Sequence, residues 1–464
     1  MAYLSGVEHI HCIGIGGIGL SALAEILLNE GYRVSGSDTQ ESDTVERLIA
    51  RGANVYLGHR ARNVGAAQLV VYSSAIPDTN PELVEAAQKG IPAISRAQLL
   101  GELMDRKQYS IAVSGAHGKT TTTSMISLIL NDADLDPTIL VGGHLREIDG
   151  NVRIGNSEYF ITEACEYKDS FLSLLPRYAV ILNIDDDHLD FFENIDHIMR
   201  SFRGFAQLVP EDGAVIAYDA NAYVSSILPG LGCRVLTFGF NPTNDFYAKD
   251  IAFNPGGMPA FTIAVKGEET CRIQLRVPGQ HNVENALAAF ACCYDLGVPV
   301  ENIKTTLEAF KGTQRRFTPL GQTQGGIQII DDYAHHPTEI RATIAAARKM
   351  PHEKLWILFQ PHTYTRVLAL HDEFADALAE ADKVVLAEIY AAREKNVHQI
   401  SSKSIAARMK QNNPGKEAYF FKDFDDIAQF VLNNAEAGDL VITMGAGDIY
   451  KVGEAILESD RAFR

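Results

Sequence analysis

Residues 110–123 read S-I-A-V-S-G-A-H-G-K-T-T-T-T, a string whose residue types suit phosphate chemistry. Gly115 and Gly118 leave room for backbone N–H groups to approach oxyanions, Lys119 can reach terminal phosphates, and the Thr120 hydroxyl can hold Mg²⁺. Ile111, Ala112 and Val113 read as a short buried strand, and Met125, Leu128 and Ile129 mark one face of a following helix. The spacing therefore predicts a strand, a glycine turn and a helix whose positive end faces the phosphates. The full phosphate-loop pattern has a glycine where Val113 stands, so the string is the shortened G-x-x-G-K-T.

A second glycine cluster lies near the N-terminus. Residues 9–13 form a candidate strand, and Gly14, Gly16, Gly17 and Gly19 fall in a G-x-G-x-x-G pattern. Leu20, Leu23, Ala24 and Leu27 then recur at helical spacing, with Gly31 as the stop. Residues 33–37 are the next strand and run into Asp38, about 20 residues beyond the glycines, where a dinucleotide fingerprint has its acid. This βαβ frame suits a nucleotide diphosphate, and the pattern leaves open which nucleotide. A nicotinamide-dependent oxidoreductase would use this loop, but it leaves residues 115–120 and the C-terminal third without a task.

Acids and histidines cluster where strands should end. An apolar strand at 159–162 runs into Glu163, and one at 178–183 runs into Asp185-Asp186-Asp187-His188. Strand ends beside a phosphate loop are where Mg²⁺ ligands belong, although part of the aspartate run is expected to be a solvated turn. Three later blocks are dense in polar groups: residues 331–337, residues 360–366 and Gly445-Ala446-Gly447-Asp448. Zinc binding by His335, His336 and His362 is disfavoured, because adjacent histidines rarely share a metal and no carboxylate or cysteine stands at a helpful spacing. A helix cap before Pro337 and a substrate-facing cluster fit better.

These groups need a scaffold. The chain has 464 residues, too many for one ordinary core, and 46% hydrophobic with 22% charged residues is a globular composition. A formal charge of −18 excludes nucleic-acid binding through bulk charge, so phosphates must be met locally by helix ends, a few cations and metal. The six cysteines lack metal-ligand spacing and read mostly as buried thiols. No stretch of 18 apolar residues and no signal-like N-terminus occur, which points to a cytoplasmic protein without a membrane anchor. The alternation predicts an α/β fold in three domains, at 1–107, 108–314 and 315–464, with an antiparallel β insertion between residues 237 and 277. The first and last domains are expected to be Rossmann-like, and the central one a P-loop ATPase-like domain.

The order of these blocks resembles the Mur ligase family over essentially the whole chain. G-I-G-G-I-G-L-S with S-G-S-D resembles its UDP-binding first domain, and G-A-H-G-K-T-T-T its ATP loop. P-G-Q-H-N-V-E-N resembles the adenine-contacting block and R-R-F the junction to the third domain. D-D-Y-A-H-H-P-T-E, F-Q-P-H-T-Y-T-R and G-A-G-D-I resemble the domain that receives the amino acid.

The resemblance implies ATP and Mg²⁺ as cofactors, and UDP-N-acetylmuramate and L-alanine as substrates joined through an acyl phosphate. It assigns Gly115, Ala116, His117, Gly118, Lys119, Thr120, Thr121, His281, Asn285 and Arg316 to ATP, and Thr120, Glu163 and His188 to Mg²⁺. Gly14, Gly16, Gly17, Gly19, Ser37, Asp38, Ser73 and Ser74 fall to the UDP-sugar, and Tyr333, His335 and Arg366 to the amino-acid pocket. Lys119, Glu163, His188 and His335 are the implied catalytic residues, with His335 orienting or deprotonating the amine. The C-terminal domain is expected to close on the central one, and the chain to be a monomer or weak homodimer. Three departures stand out: Ala116 for a threonine, Thr363 for an arginine, and E-A-C-E-Y-K at 163–168 where E-A-D-E-S-D is common.

Overall fold

A computed structural model describes residues 3–189, 191–392 and 394–462 of the chain. Runs of apolar residues too short for helices become strands. β1 (His9–Ile13), β2 (Arg33–Asp38), β3 (Asn54–Leu57), β4 (Leu69–Tyr72) and β5 (Ala93–Ser95) pair in parallel in the order β3-β2-β1-β4-β5. The order reverses on either side of β1, so the crevice beyond Ile13 is the topological switch point, where open α/β sheets hold ligands. Four helices cross over: α1 (Ile18–Asn29), α2 (Asp43–Ala50), α3 (Pro81–Gln88) and α4 (Arg96–Asp105). Ser95 starts α4 with a capping box closed by Gln98, which satisfies two backbone donors that a helix start leaves orphaned.

The central sheet has ten strands. β6 (Tyr109–Ser114), β7 (Thr138–Leu145), β8 (Gly150–Arg153), β9 (Tyr159–Glu163), β10 (Tyr178–Ile181), β11 (Ala214–Tyr218) and β12 (Arg234–Gly239) are continued by β13 (Phe246–Phe253), β14 (Pro259–Val265) and β15 (Glu268–Gln274). The order is β15-β14-β13-β12-β11-β10-β6-β9-β7-β8. β14 pairs antiparallel with both β13 and β15, so the predicted insertion exists, and it extends the main sheet through a parallel β12–β13 pairing. The packed helices are α5 (Lys119–Asp132), α6 (Ile195–Ala206), α7 (Ala222–Ile227), α8 (Gln280–Asp295) and α9 (Val300–Ala309). α8 carries an unbroken buried run from Asn285 to Cys293, as an alanine-rich helix must when its small side chains let it sit close to a sheet.

The last sheet follows the order β16-β17-β21-β18-β19-β20. Its strands are β16 (Thr318–Gln322), β17 (Gln328–Asp332), β18 (Leu355–Phe359), β19 (Lys383–Leu386), β20 (Glu417–Phe420) and β21 (Leu440–Met444). β16 is an antiparallel edge and the other pairs are parallel. Around it lie α10 (Pro337–Ala347), α11 (Tyr364–Ala369), α12 (His371–Leu378), α13 (Lys403–Asn412), α14 (Phe424–Asn434) and α15 (Tyr450–Ala462). β18 is buried at every residue, which is why its sequence reads L-W-I-L-F without alternation.

The three domains are thus α/β units of parallel or mixed sheets. All six cysteines are free; Cys12, Cys292 and Cys293 are fully buried and behave as small hydrophobes. Among the described residues no helix is long and apolar enough to cross a membrane.

Candidate active site

The phosphate loop forms as its residues dictate. Gly115 has φ 144° and passes over Leu182 and Asn183, where a Cβ would come within 3.0 Å of the Leu182 Cβ. Gly118, at φ 86°, starts α5 without a side-chain cap, and a Cβ there would meet Asn285 Oδ1 at 2.5 Å. Asn285 also accepts from the Thr122 hydroxyl at 3.2 Å, so α8 braces the loop from behind. His117 N–H donates to Asn183 Oδ1 at 2.8 Å, and Asn183 Nδ2 donates back to the His117 carbonyl at 3.1 Å.

Lys119 folds back over its own loop. Its ammonium donates to both Glu166 oxygens at 3.0 Å and to the Ala116 carbonyl at 3.3 Å. Burial works against its charge, but Glu166 beside it prevails, and the pKa lies above the ordinary lysine value. Lys119 is a cation held against its own loop by Glu166.

The metal-capable groups are arranged differently from the expectation. Glu166, Asp187 and His188 bring ligand atoms within 4.8 Å of one another, a donor set of two carboxylates and one imidazole that fits a hard divalent cation with waters completing its shell. Glu163 is not in that group: its carboxylate accepts from Gly142 N–H at 2.6 Å. Thr120 faces the neighbouring glycine, since a Cβ on Gly143 would meet its methyl at 3.3 Å. Of the predicted ligands, His188 belongs to that group of acids and histidines, and Glu163 does not. Glu163 and Thr120 lie at the β7 glycines, and His188, at φ 56°, joins Glu166 and Asp187. Glu166 and Asp187 were missed as a pair, although both sit within three residues of predicted ligands.

A cavity of about 630 Å³ opens beside the loop, lined among others by Gly118, Thr121, Tyr218, His281, Asn285 and Arg316. The structure thus gathers His281, Asn285 and Arg316 with the loop residues His117, Gly118 and Thr121 around one volume, of the size small-molecule sites take. Arg316 stacks on the Tyr333 ring at 5.1 Å, and Arg315 lies over the same ring at 5.1 Å. Burial lowers the His281 pKa to about 4, helped by Arg316, so its ring is neutral.

The central and C-terminal domains meet across this site. His117 Nε2 lies 2.9 Å from Asp185, and its Nδ1 lies 3.4 Å from Glu339 on α10. Burial opposes its charge, but the two carboxylates together lift its pKa to about 9. Thr338 donates to Asp185 at 2.7 Å, His336 Nε2 reaches the Asp186 carbonyl at 3.1 Å, and Arg366 pairs with Asp187 at 2.7 Å. His336 accepts from Thr338 N–H, so it caps α10 as expected. The zinc grouping of His335, His336 and His362 does not form among the described residues; His336 sits instead with His117 and Asp185.

His335 is buried, and desolvation brings its pKa down to about 3 against the pull of Glu339. Its Nδ1 lies 3.1 Å from the Tyr333 carbonyl, which can only accept, so Nδ1 carries the proton and Nε2 is the free base.

The first glycine loop is self-contained. Gly14 N–H donates to the Ser37 carbonyl at 2.8 Å, and Gly16 N–H to Asp38 Oδ2 at 2.9 Å. Gly17 caps α1 with no side-chain bond. Ser37 was expected to face the substrate. Its side chain is instead fully buried, and its hydroxyl donates to Glu82 at 2.5 Å and contacts His59 at 2.9 Å. Asp38 likewise spends one oxygen on Gly16, so both residues shape the loop. Ser73 sits against Gly14, and Ser74 is exposed beside it.

Three family profiles match the chain in succession: "Mur ligase family, catalytic domain" at residues 9–108, "Mur ligase middle domain" at 113–293, and "Mur ligase, glutamate ligase domain" at 315–447. The chain is 50% identical over 97% of its length to the UDP-N-acetylmuramate–L-alanine ligase of Acetivibrio thermocellus, covering 96% of that protein. It is 49% identical to the same-named protein of Caldanaerobacter subterraneus subsp. tengcongensis, with 99% of each covered. Among solved structures, the UDP-N-acetylmuramate-alanine ligase of Thermotoga maritima superposes with a TM-score of 0.80 at 29% identity, covering 98% of this chain and all of that one. A murein peptide ligase from Psychrobacter arcticus gives 0.72 at 27% identity, over 98% and 99% of the two chains.

Proposed function

The chain belongs to the Mur ligase family, and from that membership we propose that it uses ATP to join UDP-N-acetylmuramate to L-alanine in peptidoglycan precursor synthesis. The observation that carries this reading is the seam itself. A P-loop lysine and a cation-ready cluster face a neutral histidine base and an arginine from another domain. Two loops for anionic ligands and a third domain across the cleft are what a ligase of three substrates requires.

The lactyl carboxylate of the UDP-sugar attacks the γ-phosphoryl of ATP, the bond to the β-phosphate breaks and ADP leaves, and Lys119 holds the charge that spreads over the transferring oxygens. Glu166, Asp187 and His188 would hold Mg²⁺, which would supply charge neutralisation there. The amine of L-alanine then attacks the acyl phosphate; His335 Nε2 takes or orients its proton, and phosphate leaves. Arg366 and Tyr333 border the amino-acid pocket. The UDP moiety rests on Gly14, Gly16, Gly17 and Gly19, with Ser73 and Ser74 alongside and Ser37 and Asp38 behind. Domain boundaries near residues 107 and 314 fit this division, since each sheet lies between them. A cytoplasmic monomer or weak homodimer completes the reading.

The test is phosphate release from Mg-ATP with UDP-N-acetylmuramate present and amino acids or peptides supplied in turn. Release that requires the UDP-sugar and rises with L-alanine, with the amide product seen by mass, is expected. Release with a peptide alone would move the assignment to a peptide-recycling ligase.

A further inference from the structure

Arg96 belongs to neither glycine loop, yet it packs on the first. It follows β5 directly and is the first residue of α4, so it lies at the carboxyl edge of the first sheet. Its side chain lies over Gly19, the last glycine of the first loop. A Cβ built there would come within 3.1 Å of Arg96 Nη1 and 3.2 Å of its Cδ. Farther along the same helix, Gly101 packs so tightly on the Ser173 carbonyl that no side chain fits, which fixes α4 against the central domain.

Two features make this arginine costly without a ligand. A cation in the first turn of a helix opposes the helix dipole. Among the described residues, no hydrogen bond or ion pair holds its guanidinium. The acid of the first loop, Asp38, is engaged by Gly16 N–H. The start of α1, capped by Gly17 without a side chain, opens towards the same region.

We propose that Arg96 is a substrate-binding residue that grips the diphosphate of the UDP-sugar above Gly19, together with the N-terminal N–H groups of α1. The inference rests on the ligase reading and adds a cation to a loop that otherwise offers only backbone donors. It also gives Gly19 a second reason to be glycine, since a methyl there would displace the guanidinium.

The experiment is calorimetric titration of the full chain with UDP, uridine and Mg-ATP, for the wild type, Arg96→Ala, Arg96→Lys, Gly19→Ala and the Arg96→Ala/Gly19→Ala double variant. Arg96→Ala should weaken UDP by roughly tenfold to a hundredfold, the range of a lost charged hydrogen bond. Uridine and Mg-ATP should bind as before, and Arg96→Lys should recover part of the loss. In turnover, the KM for UDP-N-acetylmuramate should rise while kcat stays within about twofold. Gly19→Ala keeps the arginine but moves it, so it should weaken UDP alone and add little in the Arg96→Ala background. Unchanged UDP affinity in Arg96→Ala, or an equal loss for uridine, would overturn the proposal. So would a loss confined to UDP-N-acetylmuramate, which would place Arg96 on the sugar's carboxylate. A wild-type chain that binds no UDP would overturn the ligase reading as well.

Discussion

The two glycine loops of this molecule share a strand, a turn and a helix start, but they are held in different ways. The first, at Gly14–Gly19, is braced within its own domain by the Ser37 carbonyl and the Asp38 carboxylate. Behind it, Glu82 is fully buried and collects Ser37, Asn63 and the Arg60 N–H. The second, at Gly115–Thr120, shares its charges outward: Lys119 with Glu166, and His117 with Asp185 and with Glu339 of the C-terminal domain. A loop completed inside one domain suits recognition. A loop whose partners lie across a seam suits chemistry that waits for domain closure.

The largest test of this contrast is Lys119→Ala. Losing a cation aimed at the transferring phosphoryl should lower kcat/KM by about 10²–10⁴, roughly 3–5 kcal/mol, while UDP affinity stays unchanged. Steady-state kinetics with parallel UDP titration decide it, and a near-parental rate would break the assignment of chemistry to the second loop.

On the other side, Glu82→Ala should destabilise the protein by about 2–4 kcal/mol, because Ser37, Asn63 and His11 lose a buried charged partner. Denaturant unfolding measures this. Lost stability together with weakened UDP binding, and intact Mg-ATP binding, would keep the loops independent. Glu82 also predicts an acid limb. Desolvation would raise its pKa, but hydrogen bonds from His11, Ser37, Asn63 and Arg60 outweigh burial and hold it at about 2, below the ordinary 4.5. Its contribution is present above pH ~4.5 and is lost as pH falls towards ~2. A Glu82→Gln variant should lack that acid step in a pH-dependent melt.

A smaller effect of opposite sign belongs to the seam. His117 is lifted from 6.5 to about 9, so its stabilisation is complete below pH ~6.5 and fades as pH rises through ~9. Thermal melts from pH 6 to 10 should show the wild type losing stability over that window, and His117→Gln losing much less. The smallest change expected is Ser95→Ala, which removes the α4 cap for about 1 kcal/mol and should shift the melting temperature by only a few degrees.

Much of the scaffold was legible because it is written locally. The spacing of Gly115, Gly118 and Lys119 specifies a turn and a helix start within a few residues, and His9–Ile13 is a strand at the bounds expected for it. The His336 cap could be read because Pro337 follows it directly. The buried role of Ser37 could not, because it depends on Glu82, 45 positions away.

The amino-acid sequence by itself determined the two loops, the alternating elements and the family to which the chain belongs. Turn geometry, helix starts and hydrophobic period act between near neighbours, and motif order survives without coordinates. Only the tertiary structure decided that Glu166 and Asp187, with His188, form the metal-capable group. It alone decided that His117 bridges two domains and that Arg96 lies over Gly19. Those pairings depend on strand order and on which helix ends face one another across a seam. Charges interact through space over a few ångströms, whatever their separation along the chain.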